Sequence, residues 1–279
     1  MAQDLLDDED IVTALDISHL TLEDDTPVDN FQSEVQQRLL VEPLYSAEAL
    51  PAPFLAAANV GLFYKVKGEP VVPDVMLSLG VQRPEDFAER RHRSYFVWEF
   101  GKVPEVCIEI VSNQEGDELT LSPKSRQNGK ILAKYDRYAQ IGVRYYVVFD
   151  PLRQLQGEAD MAGALLRVWT IVASGYRELT PPQGMTNVGE SIWLEAVGLG
   201  LALWEGPFEE AVPRLWLRWC DRDGRVIATG AEGQRAARQW AETERQRAET
   251  ERQRAETEYQ RAERLAEQLR AMGVDPDPR

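Results

Sequence analysis

Residues 104–116 read PEVCIEIVSNQEG, an apolar run of strand character with one carboxylate, Glu109, at its centre. Side chains alternate between the faces of a strand, so Val106, Ile108 and Ile110 fall on one side and Cys107, Glu109 and Val111 on the other. A carboxylate on an otherwise apolar face is costly unless a charge partner, a raised pKa or a bound metal answers it. The stretches on either side supply candidates for that answer.

Downstream, GKILAKYDRYAQIGVRYYVVFDP (129–151) reads as a helix, a Gly142 stop and a continuous apolar strand from Tyr145 to Phe149. Strand, helix and apolar strand in that order predict a crossover between parallel strands in a sheet covered on both faces. At about 100° per residue, Ile131, Leu132, Tyr135, Tyr138 and Ala139 form one apolar arc. Lys134 lies at its edge beside Tyr138, where its stem can follow the apolar surface and its ammonium can reach Glu109. Lys130 lies farther round.

Upstream, VGLFYKVKGEPVVPDVMLSLG (60–80) reads as a hairpin with a turn from Lys67 to Pro70 and Asp74 in its second strand. Before it, NFQSEVQQRLLVEPL, from Asn30, has a capping residue and Phe31, Val35, Leu39 and Leu40 near helical spacing, a candidate helix. Two neighbouring strands would then present Asp74 and Glu109 to one point. Two carboxylates, the backbone carbonyl of Ile110 and waters suit a hard cation, Mg2+ or Mn2+. With Lys134 they form a kit for metal-assisted phosphodiester hydrolysis, the metal acidifying water and the lysine orienting it or steadying negative charge. The plainer reading makes Asp74 a turn residue and Glu109 half of a buried ion pair with Lys134.

Between the carboxylates, RPEDFAERRHRSYFVWEF (83–100) sets Arg90, Arg91 and Arg93 before Tyr95, Phe96 and Trp98. Such interleaving can grip phosphates and stack bases. A solvated charged turn entering an apolar strand explains it equally well, since Glu85, Asp86 and Glu89 offset the arginines.

Composition bounds the rest. The chain has 279 residues and a net charge of −16, and residues 1–50 contribute thirteen Asp or Glu against Arg38 alone. The acidity thus sits mostly in an N-terminal arm, residues 1–28, and a local basic groove in the body stays compatible with it. The start is acidic, without the basic and apolar segments of a signal peptide, which predicts a cytoplasmic protein. Two well-separated cysteines, Cys107 and Cys220, read as buried thiols, and two histidines, His19 and His92, give little basis for a nucleophilic triad. Residues 165–229 read as short strands with turns at SGY, PPQG and RDG, in which Trp193, Trp204, Trp216 and Trp219 serve as core and edge cover. From Ala231 the AETERQR repeat, with Ala241, Ala248, Ala255 and Ala262 every seventh residue, predicts a long charged helix with a thin apolar seam. Pairs four apart, such as Arg245 with Glu249, would support it.

At VPDVMLSLG, SYFVWEFGKVPEVCIEIVSNQEG, KYDRYAQIGVRYYVVFDP, VGLGLALWEG and WLRWCDRDGRVIATGAE, the sequence resembles the Uma2 family, abundant in cyanobacteria, of the PD-(D/E)XK nuclease superfamily. The resemblance runs with gaps from about residue 55 to 232. It implies an α/β (α+β) restriction-endonuclease-like fold, a mixed sheet flanked by helices, over residues 29–230, with residues 231–279 as the helical tail. It also implies metal-ligand roles for Asp74 and Glu109. The superfamily lysine two residues after the glutamate is here Val111, and the resemblance implies that Lys134, on the next helix, replaces it. Lys124 and Lys130, in the intervening loop, are lesser substitutes and candidate phosphate contacts. Glu34 is the candidate for the extra glutamate that the superfamily often takes from an N-terminal helix. The expected activity is a Mg2+-dependent endonuclease acting on nucleic acid, in the first instance DNA, and homodimeric as enzymes that cut both strands often are. The alternative from another class is a catalytically silent interaction protein that assembles through its acidic arm and helical tail.

Overall fold

The computed structural model describes residues 30–114, 116–120 and 132–273. The acidic arm, Lys124, Lys130 and Ile131 lie outside them. The chain divides into two compact units between Ile227 and Ala228.

The first unit opens with helix α1 (Phe31–Ser46), begun as expected at Asn30, whose side-chain oxygen accepts from the Ser33 amide. Strands β1 (Phe54–Ala58), β2 (Leu62–Phe63) and β3 (Val75–Leu79) follow, then β4 (Tyr95–Phe96), the one-turn helix α2 (Val97–Phe100) and β5 (Val106–Ile110). Helix α3 (Lys134–Ile141) leads to β6 (Tyr145–Phe149), and β7 (Leu166–Val172), β8 (Gly175–Glu178), β9 (Ser191–Leu194), β10 (Leu199–Pro207) and β11 (Pro213–Cys220) complete the unit.

Six strands form a mixed sheet in the order β1-β3-β5-β6-β7-β8, and β11-β10-β9 form a second sheet. The predicted crossover is present: β5 and β6 pair in parallel, joined through α3, which ends at Gly142 in the left-handed region at φ 87°. The alternation of β5 divides the core. Val106, Ile108 and Ile110 join α1 and the three-stranded sheet in one apolar cluster, and Cys107 and Val111 join Tyr138 of α3 in another. The large sheet is thus covered on both faces, which makes Glu109 a buried carboxylate. Both cysteines are buried thiols.

Helix α1 is locked to the second sheet by Gln36, whose amide donates to the Leu217 carbonyl at 2.8 Å and accepts from the Leu217 amide at 2.9 Å. This answers backbone groups on the outer edge of β11. Trp219 is buried and donates to the Leu40 carbonyl, Trp216 is buried beside Gly206, and Trp193 and Trp204 are half-buried. The tryptophans serve as core and edge cover, as read.

Three local expectations are corrected. The hairpin reduces to one bridge between Leu62 and Val71, and the main partners of β3 are β1 and β5. Asp74 precedes β3 rather than lying within it, because Pro73 has no N–H for a ladder. The apolar stretch after Arg93 is strand only for Tyr95–Phe96, then turns once as α2 and leaves it at Gly101 in the left-handed region.

The second unit is α4 (Gly230–Ala271), 42 residues long and started by a capping box between Thr229 and Glu232. None of its residues is buried. Its ion pairs run Arg245 to Glu242 and Arg247 to Glu244, three apart rather than the expected four. Among the described residues, no helix is long and apolar enough to cross a membrane.

Candidate active site

The antiparallel register that pairs Val75 with Ile108 puts Asp74, one residue earlier, opposite Glu109 on the same face. The pairing of β3 with β5 begins at Val75 and Ile108, so at the Ile110 amide the ladder has given way to a side chain. The Asp74 carboxylate takes that amide instead, accepting from Ile110 N–H through Oδ2 at 2.6 Å. Its Oδ1 accepts from the Gln37 side chain of α1 at 3.0 Å. Gln37 is in turn oriented by Asn59, whose amide donates to Gln37 Oε1 at 2.8 Å, and the Asn59 backbone amide donates to the Asp74 carbonyl at 3.2 Å.

Glu109 is 1% exposed. Lys134 Nζ donates to its Oε2 at 2.7 Å, and the Tyr138 hydroxyl donates to its Oε1, also at 2.7 Å. Both donors come from one face of α3, because residues four apart on a helix lie one above the other. Burial raises the pKa of Glu109. Lys134 and Tyr138 oppose that shift, and the neighbouring Asp74 charge adds to it. For Lys134, burial favours loss of the proton, but Glu109, Asp117 and Asp74 outweigh it and hold the ammonium charged.

Helix α3 starts where it does because the loop before it answers its first amides: Asp117 and Glu118 accept through their carbonyls from Lys134 N–H at 2.7 Å and Tyr135 N–H at 2.9 Å. The Glu118 carbonyl also accepts from the Tyr146 hydroxyl at 2.8 Å. This anchoring sets Asp117 Oδ1 4.0 Å from Lys134 Nζ. It also buries the Glu118 side chain, whose Oε2 has no hydrogen-bond partner among the described residues. Burial pushes the Glu118 pKa up to about 7, its own backbone amide and Lys134 restraining it while Glu109 and Asp117 add to it.

The structure therefore brings Asp74, Glu109, Lys134 and the Ile110 backbone together, as the sequence suggested. It does not bring Glu34 to them. Glu34 forms an ion pair with Arg38 at 2.6 Å, and Arg38 also bonds Glu209. The α1 residue that reaches Asp74 is Gln37, one helical turn farther on. Arg90 and Arg91 lie in a short 3-10 turn. Arg91 pairs with Glu89 at 2.6 Å, and Arg93 donates to the Phe87 carbonyl at 2.9 Å. Tyr95 and Phe96, read as possible base-stacking rings, are packed inside at 1% and 0% exposure. Gln37, Asn59, Tyr138 and Glu118 gave no such signal in the sequence, although Tyr138 stood on the apolar arc.

The donor set fits a hard cation. Two carboxylates lie opposite each other, each raises the cost of charging the other, and each oxygen can accept a further partner beyond its protein donor. Among the described residues, no group of three or more His, Cys, Asp or Glu side chains gathers as a metal cage. A pair of carboxylates is the arrangement that lets Mg2+ keep several waters.

Residues 21–156 match the model of the Uma2 family, described as "Putative restriction endonuclease". The match spans Asp74, Glu109 and Lys134 and bears out the family resemblance over that stretch. A solved structure, described as a putative nuclease belonging to DUF820 from Anabaena variabilis ATCC 29413, is similar over 61% of this chain and 76% of its own length, at 14% identity and a TM-score of 0.36. A comparison with curated proteins finds no match.

Proposed function

We propose that this chain, whose residues 21–156 match the Uma2 family model, is a metal-dependent endonuclease that hydrolyses nucleic-acid phosphodiester bonds, with DNA as the first substrate to test. The observation that carries this reading is the buried Glu109 set opposite Asp74 and held by Lys134 at 2.7 Å. A buried carboxylate facing a half-buried one is expensive as pure structure and is the donor set of a Mg2+ or Mn2+ site.

Asp74, Glu109 and the Ile110 carbonyl would hold the ion, which when bound supplies a Lewis acid and an acidified water. The chain's own groups do the remainder. Gln37 and the Ile110 amide fix the Asp74 carboxylate, and Tyr138 fixes Glu109. The Lys134 ammonium, kept charged, orients the attacking oxygen and offsets negative charge as it develops on the phosphate. Arg90, Arg91 and Arg93, with Lys124 and Lys130, are proposed to hold the backbone.

A second reading rests on one observation: all four oxygens of Asp74 and Glu109 already accept from protein donors. A silent centre of this kind would need no metal, and the chain would serve assembly.

Cleavage of supercoiled plasmid and labelled single strands, with Mg2+, Mn2+ or EDTA, separates the two. The nuclease reading expects metal-dependent cutting that Asp74→Ala, Glu109→Ala and Lys134→Ala each abolish while circular dichroism stays native. No cutting on any substrate, with no calorimetric binding of either ion, establishes the silent reading.

A further inference from the structure

We propose that the hollow between β1, β3 and the loop carrying Phe87, His92 and Arg93 receives one unstacked nucleobase of the strand whose phosphate lies at Asp74 and Glu109. This inference rests on the nuclease reading and adds a base-binding subsite to it.

The hollow has a volume of about 310 Å³, of the order of a single nucleotide. Its floor is apolar, formed by Leu55 and Ala57 of β1 and Met76 of β3, all on the face that carries Glu109 and Tyr138. Ala57 pairs with Met76, and Met76 is two residues beyond Asp74, which directly precedes β3. Two residues of extended chain amount to ~7 Å, which sets the distance between the floor of the hollow and Asp74. Asn59, which bonds both Gln37 and the Asp74 backbone, is flanked by Ala58 and Val60 of the same wall.

Charge points to the occupant. In a chain of net charge −16, this hollow is lined by Arg83, Arg93 and His92 and by no carboxylate. Of the acidic neighbours on the loop, Glu89 pairs with Arg91, and Asp86 Oδ1 accepts from the Ala88 amide. An apolar floor with a cationic wall suits a flat, apolar-faced group attached to phosphate. Phe87 supplies the stacking surface, since it lines the hollow and remains 54% exposed. An aromatic ring at such a place offers a sequence-tolerant platform for one base. A base that enters the hollow has left its stack. The subsite therefore favours single strands, ends and distorted duplex over intact helix.

The test uses the full chain with Ca2+ in place of Mg2+ and two 12-nucleotide single-stranded DNAs, one with a central 2-aminopurine and one with an abasic site at that position. Anisotropy gives the affinity of each strand for the natural protein and for Phe87→Ala, an exposed substitution that leaves the core intact. The expected result is a loss of about tenfold on Phe87→Ala for the base-containing strand and less than twofold for the abasic strand. The 2-aminopurine emission should also change on binding to the natural protein and not to Phe87→Ala. Equal affinities of natural protein and Phe87→Ala for the base-containing strand, or equal losses on both strands, overturn the subsite and leave the nuclease reading standing. No binding of either strand by the natural protein also overturns the subsite, while the nuclease reading is decided separately by the plasmid-cleavage assay.

Discussion

Glu118 makes the stability of this protein fall as pH rises through the neutral range. Its ordinary pKa of 4.5 is pushed up to about 7 in the folded chain, chiefly by burial. Below pH 4.5 the carboxyl is protonated whether the chain is folded or not, and folding pays nothing for it. Between pH 4.5 and 7 the unfolded chain ionises while the folded chain still holds the proton, so stability drops steadily. Above pH 7 both states are ionised and the full penalty remains. A shift of that size corresponds to about 3 kcal/mol at pH 8, of which about 2.5 kcal/mol develops between pH 5 and 8. Glu118→Gln keeps the shape and removes the ionisation. Urea unfolding of both proteins at pH 5, 6, 7 and 8 should therefore show the variant gaining about 2.5 kcal/mol relative to the natural chain across that span. Any pH-independent cost of the buried amide shifts the whole curve without changing this slope. A difference that stays constant within about 0.5 kcal/mol would refute the assignment of Glu118 as a carboxyl whose pKa is raised by burial.

Lys134→Met strands the Glu109 charge and should cost ~3–5 kcal/mol in urea unfolding, with much of the loss recovered in the Lys134→Met/Glu109→Gln double variant. Strict additivity of the two would show that the pair is not coupled. Gln37→Ala removes the side-chain donor to Asp74 and should lower stability by ~1–2 kcal/mol. If the nuclease reading holds, it should also reduce metal-dependent cutting more than Glu34→Ala does; equal effects would return Glu34 to the site. Gly142→Ala adds a Cβ to a left-handed C-cap at φ 87° with no steric neighbour, so its cost of ~1 kcal/mol should be purely conformational and visible as faster local exchange at the end of α3.

Periodicity carried the central fold. The alternation of residues 106–111 assigned faces that the two core clusters reproduce; of the expected apolar arc only Tyr135, Tyr138 and Ala139 fall within α3, and Tyr138 with Lys134 reaches Glu109. These are local properties: a pleat of period two and a helix of 3.6 leave their mark on any short window. The pairing of β3 with β1 left no such mark. FLAAA, the sequence of β1, has neither alternation nor strong strand propensity and becomes a strand because β3 offers it an edge.

The same division runs through the site. Asp74, Glu109 and Lys134 were legible because a charge inside an apolar run is conspicuous and its neutralisation is obligatory. Glu34 and Gln37 differ by three residues on one helix, and a carboxylate looked the better ligand. Helix α1 instead turns Gln37 inward to Asp74 and Glu34 outward to Arg38. That rotation is set by Gln36 bonding Leu217 and by Leu39, Leu40 and Leu44 in the core. Glu118 lay in a polar loop with nothing to mark it, and its burial depends on Tyr146 and the first turn of α3 closing over the loop. The sequence by itself determined the central strand, helix and strand, β5, α3 and β6, and which carboxylate must be answered. Only the tertiary structure decided which donors answer it, because long-range contacts choose a helix's rotation and a loop's burial and no local pattern encodes them.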